Sequence, residues 1–345
     1  MATGKHALKA AHHSGRPKQI MKTITLEEHF ATPAYLDGPG RDLKDQAEKY
    51  DNARAKKLLP LLTDLGDKRI ADMDAGGIDM QIVSLTAPGV EQLDAPESIA
   101  LAADTNDFAL EAIKKHPTRF GAFASLPTPA PDKAAQELER RVRGQKFAGA
   151  LINGHSRGRY LDDKFFWPIL ECAVALDVPI YLHPTKPPQA VIDASFSGFS
   201  PMVNDLFAGP GWGWHIETAV HVLRLILGGV FDRFPNLQVV IGHLGEGLPG
   251  MFRRVDAMAP AVTKLKRPVT AYLRENIHYT FSGFCFPATF LSLLLELGGV
   301  DQIMFSVDYP YQTMPEAVAF LEQLPVTQAD RERIAHGNAE KLFRL

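Results

Sequence analysis

The sequence predicts an α/β fold, a (β/α)8 TIM barrel with long loops after strands 1 and 5. Eight short runs rich in Val, Ile and Phe recur along the 345 residues. Each run is continuously apolar, as in parallel strands that are buried on both faces. Stretches with apolar residues at three- and four-residue spacing lie between the runs and predict helices. The sequence has no GxGxxG or Walker motif, one of which usually follows the first strand of an open doubly wound sheet, so the closed barrel is favoured.

The predicted strands and helices alternate along the chain. The strands cover residues 23–26, 79–85, 120–126, 147–152, 179–182, 237–241, 277–281 and 303–307. The clearest helices cover residues 134–142, 165–176 and 215–227. The last of these helices has one apolar stripe, which is formed by Ile216, Val220, Leu223 and Leu227.

Two connections, residues 31–70 and 185–214, are too long to be simple turns. Both leave the strand ends where active sites of barrels form, so they are candidate lids and substrate walls. The second connection is rich in aromatic residues, which are candidates either for an aromatic slot or for packing against the scaffold or a partner subunit. These aromatic residues are Phe196, Phe199, Phe207, Trp212 and Trp214.

The chain is predicted to contain one domain. Residues 1–21 are interpreted as a flexible N-terminal extension, because residues 1–20 carry four basic and no acidic side chains and lack the apolar core of a secretory signal. His12 and His13 in this extension are interpreted as solvated. Residues 22–345 form the barrel domain, with no linker, repeat or low-complexity block to divide it.

Composition and charge point to small-molecule chemistry. A formal net charge of −3 gives no electrostatic case for nucleic acid or an anionic membrane, and no apolar run reaches the length of a spanning helix. Cys172 and Cys285 match no CxxC spacing, so no disulfide framework is indicated. A reducing compartment, the cytoplasm, is therefore expected.

Polar side chains stand where four predicted strands end. Glu27 and His29 end strand 1, and because side chains two apart in a strand share a side, both can reach one cation. His183 ends strand 5, His243 ends strand 6 and Asp308 ends strand 8. In a closed barrel these ends meet at one face, and an unpaired buried carboxylate there is costly. Carboxylates and imidazoles converging in this way predict a site for one Zn²⁺ or Mn²⁺ ion with positions left for water or substrate.

These motifs also carry a family resemblance. Glu-x-His after strand 1, His-Pro after strand 5, Gly-His-x-Gly-Glu after strand 6 and Ser-x-Asp-Tyr-Pro after strand 8 resemble the amidohydrolase superfamily. Within it, they are similar to the metal-dependent aromatic acid decarboxylases of the γ-resorcylate and 5-carboxyvanillate type. Residues 26–30, 73–79, 209–219 and 242–249 are the most similar segments, and the resemblance extends over nearly the whole chain beyond the extension.

The resemblance implies roles for individual residues. The ligands of one divalent ion, Mn²⁺ or Zn²⁺, would be Glu27, His29, His183 and Asp308. His243 would lie beside the metal and contact the substrate, with its imidazole held by Glu246.

Two further residues are implied at the substrate. Arg254 would bind the substrate carboxylate, across a subunit boundary, although a solvated helix charge and a role for the neighbouring Arg253 both remain open. Tyr311, like Tyr309, is a candidate hydrogen-bond donor to a ring substituent or an ordinary packing residue.

The implied reaction is the nonoxidative decarboxylation of a hydroxylated benzoate. Strand 4 ends in Ile152-Asn153-Gly154-His155, without the lysine or acid that bridges two metals in binuclear hydrolases of this superfamily, and His155 is interpreted as a loop residue. A single ion would orient a substrate carboxylate and an ortho phenolate oxygen. Asp308 would then protonate the ring carbon, and no organic cofactor is expected.

Other functions are open on the same residues. A hydrolase of a lactone or amide would use the metal to activate water, with His243 or Asp308 as the base. A hydratase of aromatic ring-fission products is a third possibility, and a barrel that binds without catalysis a fourth. The expected partners are a small aromatic carboxylic acid and further copies of the chain in a homodimer or homotetramer, since the loop at residues 209–214 is unusually apolar.

Overall fold

A computed structural model describes residues 21–145, 147–258 and 260–345. Eight parallel strands form one sheet in the order β1 to β8, and every predicted strand is confirmed. The strands are β1 (Ile24–Phe30), β2 (Met80–Leu85), β3 (Phe120–Ser125), β4 (Gly149–Asn153), β5 (Ile180–His183), β6 (Val239–Ile241), β7 (Ile277–Thr280) and β8 (Ile303–Met304). Helices occur between consecutive strands, so the prediction of a (β/α)8 barrel is confirmed.

Eighteen helices are present in the described residues. They are α1 (Pro33–Asp37), α2 (Arg41–Glu48), α3 (Ala53–Leu62), α4 (Asp67–Gly76), α5 (Ala95–Lys115), α6 (Pro131–Gln145), α7 (Trp167–Leu176), α8 (Gln189–Ser195), α9 (Pro201–Ala208), α10 (Gly213–Leu227), α11 (Val230–Arg233), α12 (Phe252–Val255), α13 (Pro260–Thr263), α14 (Val269–Glu275), α15 (Pro287–Leu297), α16 (Met314–Gln323), α17 (Gln328–Glu332) and α18 (Asn338–Phe343). Short turns of other helical types cover Lys164–Phe166, Pro249–Met251 and Arg333–Gly337.

The predicted helices 134–142 and 215–227 lie within α6 and α10, and the predicted helix 165–176 coincides with α7 except that its first two residues belong to the preceding turn Lys164–Phe166. The apolar stripe of α10 is not its buried face. Val220 and Leu227 are exposed, whereas Val222, Leu225 and Ile226 are buried. The helix carries apolar residues on more than one side, so spacing alone could not identify the side that packs against the barrel.

The two long connections contain helices of their own. Helices α1 to α4 follow β1, and α8 and α9 follow β5. Both connections start at the carboxyl ends of their strands, which is the face where the sequence places the functional residues.

The core has two parts. An outer layer packs the strands against the helices, and an inner cluster fills the barrel with side chains such as Leu26, Phe123 and Tyr181. Phe343 of α18 packs against Phe123 with ring centroids 5.4 Å apart and belongs to the inner cluster.

None of the helices in the described residues is both long and apolar enough to cross a membrane. The predicted N-terminal extension, including His12 and His13, lies outside the described residues except for Met21.

Candidate metal centre and active site

The polar side chains that end β1, β5 and β6 and follow β8 meet in one buried cluster. Glu27 Oε1 lies 3.2 Å from His183 Nε2 and 3.9 Å from His243 Nε2. His29 Nε2 lies 3.3 Å from Asp308 Oδ1, and the rings of His29 and His183 have centroids 4.8 Å apart. The structure therefore brings together all five side chains that the sequence places at strand ends.

The backbone around this cluster departs from regular strand geometry. Glu27 has φ of 63°, and the pairing of β1 with β2 shifts register between Thr25 and Glu28. Asp308 has φ of 70°. Left-handed conformations are uncommon for residues other than glycine and concentrate at functional sites. Glu27 and His29 thus reach the same point through an irregularity and not through simple alternation.

The two carboxylate oxygens of Glu27 have different surroundings. Oε2 accepts hydrogen bonds from the hydroxyls of Tyr181, Ser282 and Thr280. Oε1 is buried without a hydrogen-bond partner. Burial raises the pKa of Glu27, but the imidazoles of His243, His183 and His29 lower it by more than burial raises it. The net pKa is therefore below the usual range. The group is therefore an ionised carboxylate with one oxygen available to a cation.

The imidazoles of His183 and His29 present Nε2 to the same space. His183 Nδ1 donates to the carbonyl oxygen of Pro184 at 2.8 Å, which leaves the lone pair on Nε2. His29 Nδ1 lies 3.4 Å from Ser84 Oγ. Burial and the neighbouring His183 hold the pKa of His29 well below its usual value. A neutral imidazole oriented by a hydrogen bond at its other nitrogen is a good metal ligand.

These donors fit a single divalent ion. The ligand atoms of Glu27, His29 and His183 all lie within 4.8 Å of one another, and Asp308 Oδ1 adjoins His29. Ligands at about 2.1 Å from one ion lie roughly 3–4 Å apart. The unpartnered Glu27 Oε1 is the oxygen that such an ion would satisfy.

Asp308 carries a largely buried carboxyl group close to the negative charge of Glu27. Burial and the carboxylate of Glu27 raise its pKa well above the usual value, although His243 and Arg54 act in the opposite direction. In the absence of a cation, this carboxyl group therefore holds a proton at higher pH than an ordinary aspartate.

His243 begins a chain of hydrogen bonds that leads away from the cluster. His243 Nδ1 donates to Glu246 Oε1 at 2.7 Å, and His215 Nδ1 donates to Glu246 Oε2 at 2.6 Å. The indole of Trp214 donates to His215 Nε2 at 3.0 Å. Burial lowers the pKa of His243, but the carboxylates of Glu246 and Glu27 raise it by more than burial lowers it, to about 10. In the absence of a cation, these carboxylates thus favour the protonated form of the His243 imidazole beside Glu27.

The structure separates the remaining predicted residues. Tyr311 packs edge-on against His29 with centroids 5.6 Å apart, and its hydroxyl lies 2.6 Å from Thr86 Oγ1. Tyr309 points elsewhere and donates to Asp72 Oδ2 at 2.7 Å. Arg254 is exposed on α12, and the cluster's ion pairs and hydrogen bonds described above do not involve it.

His155 and the aromatic loop also lie partly apart from the cluster. His155 Nδ1 accepts from the backbone of Gly158 at 3.0 Å, and its Nε2 is 3.2 Å from Lys186 O, as suits a loop residue. Phe196 and Phe199 pack on Phe207, whereas only Trp214 reaches His183, at 6.4 Å between centroids. The five aromatic residues of the loop therefore do not form one slot.

Several site residues were not predicted from the sequence. Tyr181 and Ser282 bind Glu27, and Phe284 packs against His243 with centroids 5.0 Å apart. Tyr181 stands two residues before His183 on β5, so its inward direction was readable from strand alternation. Ser282 and Phe284 follow β7, whose end carries no charged residue to draw notice.

Comparison with known proteins gives consistent relatives. The sequence model of the family described as Amidohydrolase matches residues 59–345. A gamma-resorcylate decarboxylase from Polaromonas sp. is 39% identical over 335 residues, which are 93% of this chain and 98% of that protein.

Solved structures agree over almost the whole chain. A 2,6-dihydroxybenzoate decarboxylase complexed with 2,6-dihydroxybenzoate has a TM-score of 0.83 and 38% identity, covering 94% of this chain and 100% of that one. A 5-carboxyvanillate decarboxylase from Novosphingobium aromaticivorans, complexed with manganese and 4-hydroxy-3-methoxy-5-nitrobenzoic acid, has a TM-score of 0.87 and 35% identity, covering 95% and 97%.

Proposed function

The chain belongs to the amidohydrolase family, and we propose that it is a carboxy-lyase that removes CO2 from an ortho-hydroxybenzoate without oxidation. The observation that carries the proposal is the buried cluster of Glu27, His29, His183 and Asp308, in which Glu27 Oε1 lacks a hydrogen-bond partner. Relatives that cover nearly the whole chain are decarboxylases of hydroxylated benzoates. The product would be a phenol.

The proposed ligands of one Mn²⁺ or Zn²⁺ ion are Glu27, His29, His183 and Asp308. The manganese in the 5-carboxyvanillate decarboxylase structure supports this choice of ion. When bound, the ion supplies positive charge that neutralises a substrate carboxylate and an ortho phenolate oxygen. The hydroxyls on Glu27 Oε2 fix the carboxylate so that Oε1 faces the site.

Asp308 is the proposed acid. Its carboxyl proton passes to the ring carbon that bears the substrate carboxylate, and the ring loses aromaticity. The bond from that carbon to the carboxylate then breaks, its electron pair restores the aromatic ring, and CO2 leaves. Asp308 regains a proton from solvent, so one proton is consumed and one CO2 is released in each turnover.

His243 and Glu246 are proposed to hold the substrate carboxylate in place. The imidazole of His243 faces the cluster, and the hydrogen bond that its Nδ1 donates to Glu246 Oε1 at 2.7 Å fixes the orientation of the ring. Tyr311 is proposed to donate to a ring substituent, because its ring packs edge-on against His29 of the cluster and its hydroxyl is held by Thr86. Arg254, which is exposed, is proposed to act on the site of a partner subunit in a homodimer or homotetramer.

We place the protein in the cytoplasm, where its two free thiols would persist.

The test of function is the Asp308→Asn variant, compared with wild type for bound metal and for CO2 release. An asparagine oxygen can still bind a cation, but the amide cannot serve as the acid. We expect metal to be retained and CO2 release to fall at least 100-fold; metal retention with full turnover would remove Asp308 from the mechanism.

A lactone or amide hydrolase is the alternative outcome of the same test. In such an enzyme the variant would lose hydrolysis of a lactone or amide, and neither protein would release CO2 from any ortho-hydroxybenzoate.

A further inference from the structure

The seam between β1 and β8 has the fewest backbone contacts of the barrel's seams. The sheet order runs from β1 to β8, and among the described residues a single bridge, between Leu26 of β1 and Ser306 just after β8, joins the two sides of this seam as a strand pairing. Strand β8 itself is only two residues long. Yet Glu27 and His29 come from one side of this seam and Asp308 from the other. The relative position of the proposed ligands must therefore be fixed by something other than a backbone ladder.

Glu28 spans this seam with its side chain. Its Oε1 accepts a hydrogen bond from the backbone amide of Val307 at 2.9 Å, and its Oε2 accepts from the amide of Tyr309 at 3.3 Å. These two amides flank Asp308, whose φ of 70° is a left-handed conformation that persists only when the surroundings hold it. One fully buried carboxylate thus holds the chain on both sides of Asp308.

Arg69 of α4 supports the same seam through hydrogen bonds to β1 and β2. Its Nη1 donates to the carbonyl oxygen of His29 at 3.0 Å, and its Nε donates to Gln81 Oε1 at 2.7 Å. The amide of Gln81 in turn donates to Glu28 Oε2 at 3.3 Å. The guanidinium of Arg69 also lies over the ring of Tyr309, 4.3 Å from its centroid. Arg69 is as fully buried as Glu28 and is linked to it through Gln81. Its charge offsets only part of the effect of burial on Glu28, whose pKa is raised to about 7.

A backbone hydrogen bond also crosses the same seam. The amide of His29 donates to the carbonyl oxygen of Tyr309 at 2.7 Å. His29 and Tyr309 are therefore each held twice, once by this bond and once by Glu28 or Arg69. The network therefore contacts the two segments that carry Glu27, His29 and Asp308 through their backbone.

We propose that Glu28, supported by Arg69, is a positioning residue that sets the affinity of the cluster for its divalent ion. It acts through the backbone on either side of Asp308 and keeps that carboxylate at a fixed distance from His29. The inference rests on the proposed function only in taking the cluster as a site for a divalent metal. It does not require that the reaction be a decarboxylation.

The test compares the Mn²⁺ affinity of metal-free wild type, Glu28→Gln and Glu137→Gln by titration calorimetry. Glu28→Gln keeps the shape of the side chain but turns an NH2 group toward one of the two amides. Glu137→Gln is the matched control, because Glu137 is a largely buried carboxylate on α6 that accepts from the buried Arg141 at 2.7 Å. We expect both variants to unfold at lower temperature than wild type, and only Glu28→Gln to lose at least tenfold in Mn²⁺ affinity.

Equal Mn²⁺ affinity in folded Glu28→Gln and wild type would overturn the inference, as would an equal loss in Glu137→Gln. If Glu28→Gln does not yield folded protein, Glu28→Asp is measured in its place; it keeps the charge but is too short to reach both amides, so an unchanged affinity again overturns the inference. A wild type that binds Mn²⁺ but releases no CO2 contradicts the proposed function alone, and the comparison of affinities still decides the role of Glu28. A wild type that binds no Mn²⁺ contradicts both.

Discussion

The unequal surroundings of its two oxygens make Glu27 the most informative single residue of the site. Hydroxyls of Tyr181, Ser282 and Thr280 all donate to Oε2, while Oε1 is buried without a partner. A buried carboxylate oxygen left unsatisfied is costly unless a cation occupies the space beside it. The chemistry of this one side chain thus agrees with the ion seen in a structural relative.

His243 owes its raised pKa to its carboxylate neighbours, first of all Glu246. In metal-free Glu246→Gln we expect the pKa of His243 to fall from about 10 by at least one unit, because a carboxylate charge at 2.7 Å is removed. Titration of labelled histidines by NMR measures this change. His278, whose pKa is about 4 and whose Nε2 is paired with Gln238, serves as the internal reference and should not move. An unchanged pKa for His243 would mean that Glu246 does not stabilise its cationic form.

Glu91 gives a stability prediction away from the metal ligands. Burial raises its pKa to about 7 in the folded chain, from 4.5, so between these values the folded state binds more protons than the unfolded state. Stability is therefore lost as the pH rises from 4.5 to 7, and the loss is complete above 7. Glu91→Gln keeps the acceptor for the amide of Asn153 and avoids this loss.

We expect the free energy of unfolding at pH 8 to be larger for Glu91→Gln than for wild type, by about 3 kcal/mol at most, when a chelator keeps both proteins free of metal. The difference should shrink toward pH 5. Urea unfolding at the two pH values measures it, and a difference that does not depend on pH would contradict the raised pKa of Glu91.

At the scale of the element, the backbone at the end of β6 must approach the Glu27 carboxylate closely, which requires glycine at position 242. A Cβ atom on Gly242 would lie 2.5 Å from Glu27 Oε2 and 2.8 Å from Ser282 Oγ. Gly242→Ala should therefore displace the carboxylate from its hydroxyl donors and weaken Mn²⁺ binding at least tenfold. Gly250→Ala is the matched control, because nothing lies within 4 Å of its added Cβ. Equal Mn²⁺ affinities in the two variants would show that the close approach of β6 does not matter for the site.

The elements also show what the sequence could and could not predict. All eight strands were predictable because strands covered on both faces are continuously apolar. The end of β8 was not: prediction placed it at residue 307, but the chain leaves the ladder after Met304, where the amide of Phe305 bonds to Ile334. The left-handed turns at Glu27 and Asp308 were equally hidden, since they depend on contacts between segments about 280 residues apart.

The site was predictable to a similar degree. Charged and imidazole side chains at strand ends identified Glu27, His29, His183, His243 and Asp308. The neutral hydroxyls that orient Glu27 carry no such signal, because Ser and Thr occur at many strand ends for other reasons. The role of Arg254 stays a prediction, because its proposed target is the site of a partner subunit.

At the scale of the molecule, a patch of exposed apolar side chains covers the connection after β5 and α10. It includes Phe199, Met202, Leu206, Trp212 and Val220. Patches of this kind mark interaction sites, so this one is a candidate contact surface for a second copy of the chain.

We expect light scattering to give a mass that is a multiple of 38.0 kDa. Met202→Glu, which places a charge at the most exposed residue of the patch, should lower that mass. Leu295→Glu is the control, because Leu295 is equally exposed but lies on α15. A monomeric wild type would remove both the assembly and the proposed role of Arg254 in a partner subunit.

CO2 release by the purified wild type is the most direct test of the proposed decarboxylation. Metal-free protein is reconstituted with Mn²⁺ and assayed against a panel of ortho-hydroxybenzoates, with a chelated sample in parallel. We expect CO2 release that the chelator abolishes, and the preferred ring substituents would then identify the substrate. Stoichiometric Mn²⁺ binding without CO2 from any acid of the panel would contradict the proposed decarboxylation and favour a lactone or amide hydrolase.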